Sequence, residues 1–154
     1  MRNVWSTLLI VLLAAVPGWA ALGEYESSIN LDQRILRSEQ SESVRQGYKV
    51  HVLTSPNGLV VKELVSPGGL VFGVIWQGPH MPNLQQMLGD HNATELQQAL
   101  ASRSRHHSGA PLVVRTNKLV FVSGGHMRSF HGYAYVPSLV PANVSLGVMH
   151  ETQN

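Results

Sequence analysis

The sequence predicts an α+β domain whose antiparallel sheet is built from two meanders, three strands and then two or three, separated by a helical segment. Three observations carry that prediction. Residues 48–77 are β-rich, alternating in the strand period over residues 48–53, and are interrupted by two nearly identical turns, SPNG and SPGG. Residues 82–111 carry helix start, stripe and stop signals, and residues 112–136 return to β-rich runs.

The first twenty residues, MRNVWSTLLIVLLAAVPGWA, precede that domain with the layout of a secretory signal peptide. Arg2 supplies the charge, an apolar run covers residues 8–16, Pro17-Gly18 breaks it, and Gly18-x-Ala20 fits the small-residue rule for cleavage after Ala20. The uninterrupted run is about nine residues, short of the roughly 20 needed to span a bilayer. The expectation is a periplasmic or secreted protein whose mature chain has no transmembrane segment. Without cysteine it has no disulfide framework and no thiol for lipid attachment.

Residues 21–47 read as a polar N-terminal segment with a helix over residues 31–40, where Asn30 and Gln33 have capping-box spacing. Ser38 to Ser43, SEQSES, reads as a solvated linker, and residues 48–154 as the α+β domain proper. In the first strand Tyr48, Val50 and Val52 share one face, with Lys49, His51 and Leu53 on the other. The third strand, residues 70–77, is apolar on both faces, as a central or doubly covered strand should be. Each Ser-Pro-x-Gly turn leads into another strand rather than a helix N-terminus, so the pair reads as hairpin chemistry and not as a phosphate loop.

Pro82 opens a helix carrying Leu84, Met87 and Leu88, which Gly89 stops. A second helix follows, with Asn92 and Glu95 in capping-box spacing, an apolar stripe of Leu96, Ala99 and Leu100, and Arg103, Arg105, His106 and His107 near its C-terminal end. Residues 112–115 and 119–123 make a strand pair, residues 130–136 alternate with His131, Tyr133 and Tyr135 on one face, and a short strand is expected at residues 144–148.

The 154 residues carry eleven Lys and Arg, of which Arg2 lies in the leader, leaving ten against nine Asp and Glu. Those cations are scattered without aromatic interleaving, so nucleic acid is not an expected partner. Another envelope protein, a peptide or a glycan fits better. For hydrolase chemistry there is no cysteine and no Gly-x-Ser-x-Gly elbow. Beyond residue 47 the acids are Glu63, Asp90, Glu95 and Glu151, and an enzyme would need a polar pocket with a Ser or His beside one of the first three.

Two binding chemistries are legible. The strand-to-helix junction with Trp76, Gln77, His80 and Met81, together with Tyr133 and Tyr135, offers an aromatic and polar lip for a ligand. Alternatively, three His-Met neighbours occur, at His80-Met81, His126-Met127 and Met149-His150, and thioether beside imidazole suits copper. The metal set would then be His80, Met81, His126, Met127 and His131. Neighbours on a strand point to opposite faces, which opposes that set.

The stretch FGVIWQGPHMPNLQQMLG at residues 72–89, with the Trp-Ala-Ala-Leu-Gly end of the leader and the Ser-Pro-x-Gly meander, resembles an exported bacterial family catalogued as domain of unknown function family 2844. The resemblance covers most of the chain beyond the leader and is most specific over residues 66–89. It implies a Gram-negative, periplasmic protein and supplies no activity, cofactor or catalytic residue. The expectation for function is a non-catalytic binding or envelope-associated module, with a copper protein and then a hydrolase as alternatives.

Overall fold

The computed structural model describes residues 22–102 and 111–151. The leader, the cleavage site after Ala20 and the cluster Arg103, Arg105, His106 and His107 lie outside the described residues. A 3₁₀ turn at Glu26–Ser28 leads into α1, Ile29–Leu36, and then four strands follow: β1 Glu39–Arg45, β2 Tyr48–Thr54, β3 Val60–Val65 and β4 Val71–Gly78. After α2, Leu84–Ala101, come β5 Leu112–Arg115, β6 Val120–His126 and β7 Ser129–Tyr135, a 3₁₀ turn at Pro137–Leu139 and α3, Val148–Glu151. All seven strands form one antiparallel sheet in the order β1-β2-β3-β4-β7-β6-β5. The fold is α+β with two meanders on either side of α2, the second folding back to pair β7 with β4.

The turns show why the meander forms. In the first, the Gly58 N–H donates to the Ser55 carbonyl at 3.0 Å, and Asn57 Oδ1 accepts from the Leu59 N–H at 3.1 Å. The second repeats this with the Gly69 N–H on the Ser66 carbonyl at 2.9 Å. Positive φ falls on Gly58 (86°) and Gly69 (77°), the last residue of each Ser-Pro-x-Gly rather than the third. A type I turn followed by a left-handed glycine matches the twist of the flanking strands.

Four sequence expectations are corrected. SEQSES is not a linker: residues 39–43 belong to β1, which pairs along its length with β2. Its Glu and Ser residues suit a solvent-facing edge that discourages further pairing, and for the same reason they resemble a linker. The first helix begins before Asn30 and ends at Leu36, because Arg37 takes a left-handed conformation (φ 50°). Asn92 does not cap a helix: its Nδ2 donates to the Leu22 carbonyl at 2.7 Å and the Leu88 carbonyl at 3.0 Å, while Asn83 caps α2 by accepting from the Gln86 N–H. Finally, residues 144–148 form no strand but turns leading into α3. Gly89 does interrupt the helical segment, with φ 72° and ψ 164° inside α2.

The sheet separates two cores. Its inner face carries Leu53, Val61, Val74, Trp76 and Phe121 against Ile29, Met87, Leu88 and Leu96 of the helices. The outer face carries Val50, Leu64, Phe72 and Tyr133 against the C-terminal segment, including Leu139, Val144 and Met149. β4 is buried from Val71 to Trp76, in keeping with a strand apolar on both faces.

Candidate functional site

Of the residues singled out for a ligand lip, Trp76 is a core residue. Its side chain is fully buried on the inner face, 5.5 Å from the Phe121 ring, and a Cβ on Gly132 would collide with its indole. Tyr133 and Tyr135 stack on the outer face with ring centroids 6.4 Å apart, but they pack under the C-terminal segment of the chain itself. Burial raises the Tyr133 phenol above its usual range. Gln77 and His80 are exposed, and the Met81 thioether accepts from the Ser123 hydroxyl at 4.0 Å.

The His-Met residues do not assemble into one group. Ser123 pairs with Gly132 on the inner face, so Met81 lies toward that side, whereas His131 pairs with Gln77 and Gly124 on the outer face. His126 and Met127 stand exposed at the β6–β7 turn, with His126 Nδ1 3.3 Å from the Met127 carbonyl.

Sequence reasoning missed a polar cluster beneath α1 on the inner face. His51 of β2 and Glu63 of β3 are register partners, both almost fully buried. Gln40 Nε2 donates to His51 Nδ1 at 2.9 Å, which places the ring proton on Nε2, and that nitrogen donates to Glu26 Oε1 at 2.8 Å. Lys49 Nζ donates to both Glu26 oxygens, at 2.8 and 3.0 Å, and the Lys49 hydrogen bond holds the Glu26 carboxyl below its ordinary range. Glu26, Glu42 and His51 present ligand atoms within 4.8 Å of one another. The Lys49 ammonium already stands against that set, 2.8 Å from Glu26 and 4.0 Å from Glu42, so a divalent ion would have to displace it.

Deeper in, the Asp32 carboxyl of α1 neighbours Glu63, Gln86 Nε2 of α2 donates to Asp32 Oδ1 at 2.7 Å, and Glu63 Oε2 is buried without a hydrogen-bond partner among the described residues. Burial pushes both acids up, Glu63 well above the ordinary carboxylate range, with the Asp32 charge adding to the rise. The enzyme requirement, a His beside Glu63, is thus met in register only. Both His51 nitrogens are engaged and its side chain is 4% exposed, so it is not presented to a substrate. Parity did carry a signal here: Val61, Glu63 and Val65 share the buried face of their strand.

The outer face offers the second arrangement. Register sets Val52, Lys62, Ile75, Tyr133 and Val122 in one row across it, and Thr54, Val60, Gln77 and His131 in the next. The Met149 methyl sits over Gly73, one row further, so the C-terminal segment covers that half. Toward the SPNG turn a groove of about 340 Å³ remains, floored by Val60 and Ile75, walled by Gln77 and Pro79, and flanked by Lys62 and Arg128. Trp76 borders it as well, although its side chain is buried in the inner-face core. Burial lowers the Lys62 amine from its ordinary range. Two other hollows border Leu22 and Ser102, next in sequence to residues outside the described ones.

The profile of one family, described as Protein of unknown function (DUF2844), matches residues 18–149. No curated protein and no solved structure matches the chain.

Proposed function

We propose, from the premise that the chain belongs to this DUF2844 family, that it is an exported bacterial binding module working in the periplasm without catalysis, with its ligand site in the outer-face groove. The observation that carries this reading is the groove itself, formed where the SPNG turn, the end of β4 and the β6–β7 turn converge. Its volume lies at the lower end of the range of small-molecule sites, about 300–1,000 Å³. The inner-face histidine supports a non-catalytic role, since both His51 ring nitrogens are engaged and its side chain is buried. The pattern of Arg2, the apolar run and Gly18-x-Ala20 supports export. Among the described residues, no helix is long and apolar enough to cross a membrane.

Two measurements test the reading. Expression of the full chain in a Gram-negative host should deliver a periplasmic protein with Ala21 as its first residue, and retention in the cytoplasm overturns export. Native mass spectrometry of the recovered protein should show a small-molecule adduct that disappears in Val60→Tyr, a substitution that fills the groove floor while keeping a strand-forming residue. An adduct of equal occupancy in the variant, or no adduct in either protein, overturns the groove as the ligand site.

A further inference from the structure

Leu22 is the second residue beyond the Ala20–Ala21 bond that the leader pattern marks for cleavage. It is 3% exposed, and both of its main-chain groups are engaged: the N–H donates to the Met87 carbonyl at 3.0 Å, and the carbonyl accepts from Asn92 Nδ2 at 2.7 Å. The break in α2 explains these bonds. Gly89 leaves the helical conformation, so carbonyls just before it need donors from outside the helical ladder. The Leu22 N–H satisfies Met87, and Asn92 Nδ2 bridges the carbonyls of Leu88 and Leu22. The following residues are fastened to the sheet. The Gly23 N–H donates to the Val71 carbonyl at 2.8 Å, the Val71 N–H to the Glu24 carbonyl at 2.9 Å, and the Glu26 N–H to the Gly69 carbonyl at 2.8 Å.

We infer that leader removal precedes folding: the Ala20–Ala21 bond is hydrolysed while residues 22–26 are still undocked from α2 and β4, and the folded precursor is not a substrate for a leader peptidase. This goes beyond the export reading and rests on it. In the step itself water adds across the amide, leaving Ala20 as a carboxylate and Ala21 as an ammonium. A peptidase that holds its substrate extended pairs with the main chain on both sides of the bond, as an added strand does. Only Ala21 separates the bond from Leu22, a reach of at most about 3.6 Å, and the Leu22 main chain is already bonded within the fold. Backbone buried and bonded in this way is cut only after it opens. The chain is accordingly one to be carried across the membrane unfolded, since a precursor folded beforehand would arrive with its leader protected.

The experiment uses the full chain in detergent micelles and a purified Gram-negative leader peptidase, with mass spectrometry reading the product that begins at Ala21. Three substrates are compared: the folded precursor, the same chain diluted from denaturant directly into the enzyme, and a folded precursor with a short Gly-Ser spacer inserted between Ala21 and Leu22. The spacer leaves the bonds of residues 22–26 in place and moves the scissile bond away from them, and an unfolding midpoint equal to that of the parent checks this. The folded precursor should be cut at least about ten-fold more slowly than the other two, as expected when cleavage waits on opening. The inference is overturned if the folded precursor is cut as fast as the spacer variant. It is also overturned if the spacer variant is as slow as the folded precursor while the diluted chain is cut, because the barrier is then not the docking of Leu22; in both cases export stands. If none of the three is cut after Ala20, the inference and the cleavage on which the export reading rests fall together.

Discussion

Asp32 on α1 and Glu63 on β3 are neighbouring buried carboxyls, each 2% exposed, with Gln86 Nε2 of α2 donating to Asp32 and Glu63 Oε2 without a hydrogen-bond partner among the described residues. One helix, the sheet and the second helix therefore meet at a pair of acids whose burial favours the protonated form. Two like charges in an apolar interior cannot both stand ionised without a large penalty.

Stability should consequently depend on pH in a definite direction. Both folded pKa values are raised above the unfolded values, so the native state keeps a proton that the unfolded chain releases. The contribution is fully present below the unfolded carboxyl pKa and is lost as pH rises through the folded one. The unfolding midpoint should fall as pH rises from the ordinary carboxyl pKa of about 4 through the raised folded values, and Glu63→Gln, whose amide can donate to Asp32 at any pH, should flatten that slope. Equal slopes in the two proteins would show that the pair does not share its proton.

Gly132 is a second point of close approach. A Cβ there would collide with the Trp76 ring and the Val122 carbonyl, both in the packed centre of the sheet. Gly132→Ala should cost about 1–3 kcal/mol by overpacking, a loss of several degrees in the midpoint. A midpoint within a degree of the wild type would mean that the indole has room to move.

The architecture was legible where side chains set it, and illegible where the backbone did. Alternation at Tyr48 to Leu53 and the paired Ser-Pro-x-Gly turns announced the first meander because the core side chains there obey a period of two. β1 was hidden because its strand character comes from hydrogen bonds to β2, while its own residues face water. The site was harder for a related reason. Trp76, Gln77, His80 and Met81 are the chemically conspicuous residues of the sequence, yet β4 turns the Trp76 side chain to the inner face, and the groove is assembled from Lys62, Gln77 and Arg128 on three separate segments. Only the register that brings Lys62 opposite Ile75 places them together, and register is a tertiary property.

The ion pair at Lys49 gives a prediction about metals. In the wild type the ammonium stands among Glu26, Glu42 and His51, so zinc or copper should leave the midpoint unchanged. Lys49→Ala removes the resident cation and leaves two carboxylates and an imidazole within reach of one ion. Zinc at about 100 times its dissociation constant should then stabilise the variant by roughly 2.7 kcal/mol, measured as a rise in the midpoint. A zinc response in the wild type that persists in Glu26→Gln would place a metal elsewhere.

The C-terminal segment supplies the last prediction, because it decides how much of the outer face is open. Met149 is 1% exposed, and its methyl lies where a side chain on Gly73 would otherwise stand. Val144, Val148 and Leu139 pack into the same cluster with Tyr133 and Tyr135. Met149→Ala removes most of that anchor and should cost about 2–5 kcal/mol, the usual range for truncating a buried methionine or leucine. Hydrogen exchange distinguishes a local from a general loss. Release of the segment should speed exchange in β4 and β7 around Gly73 and Tyr135, register partners beneath it, while β1 and β2 at the far edge keep their protection. Uniform acceleration across all seven strands would instead mean that the segment is part of the cooperative core, and that the groove beside it cannot widen without unfolding the sheet.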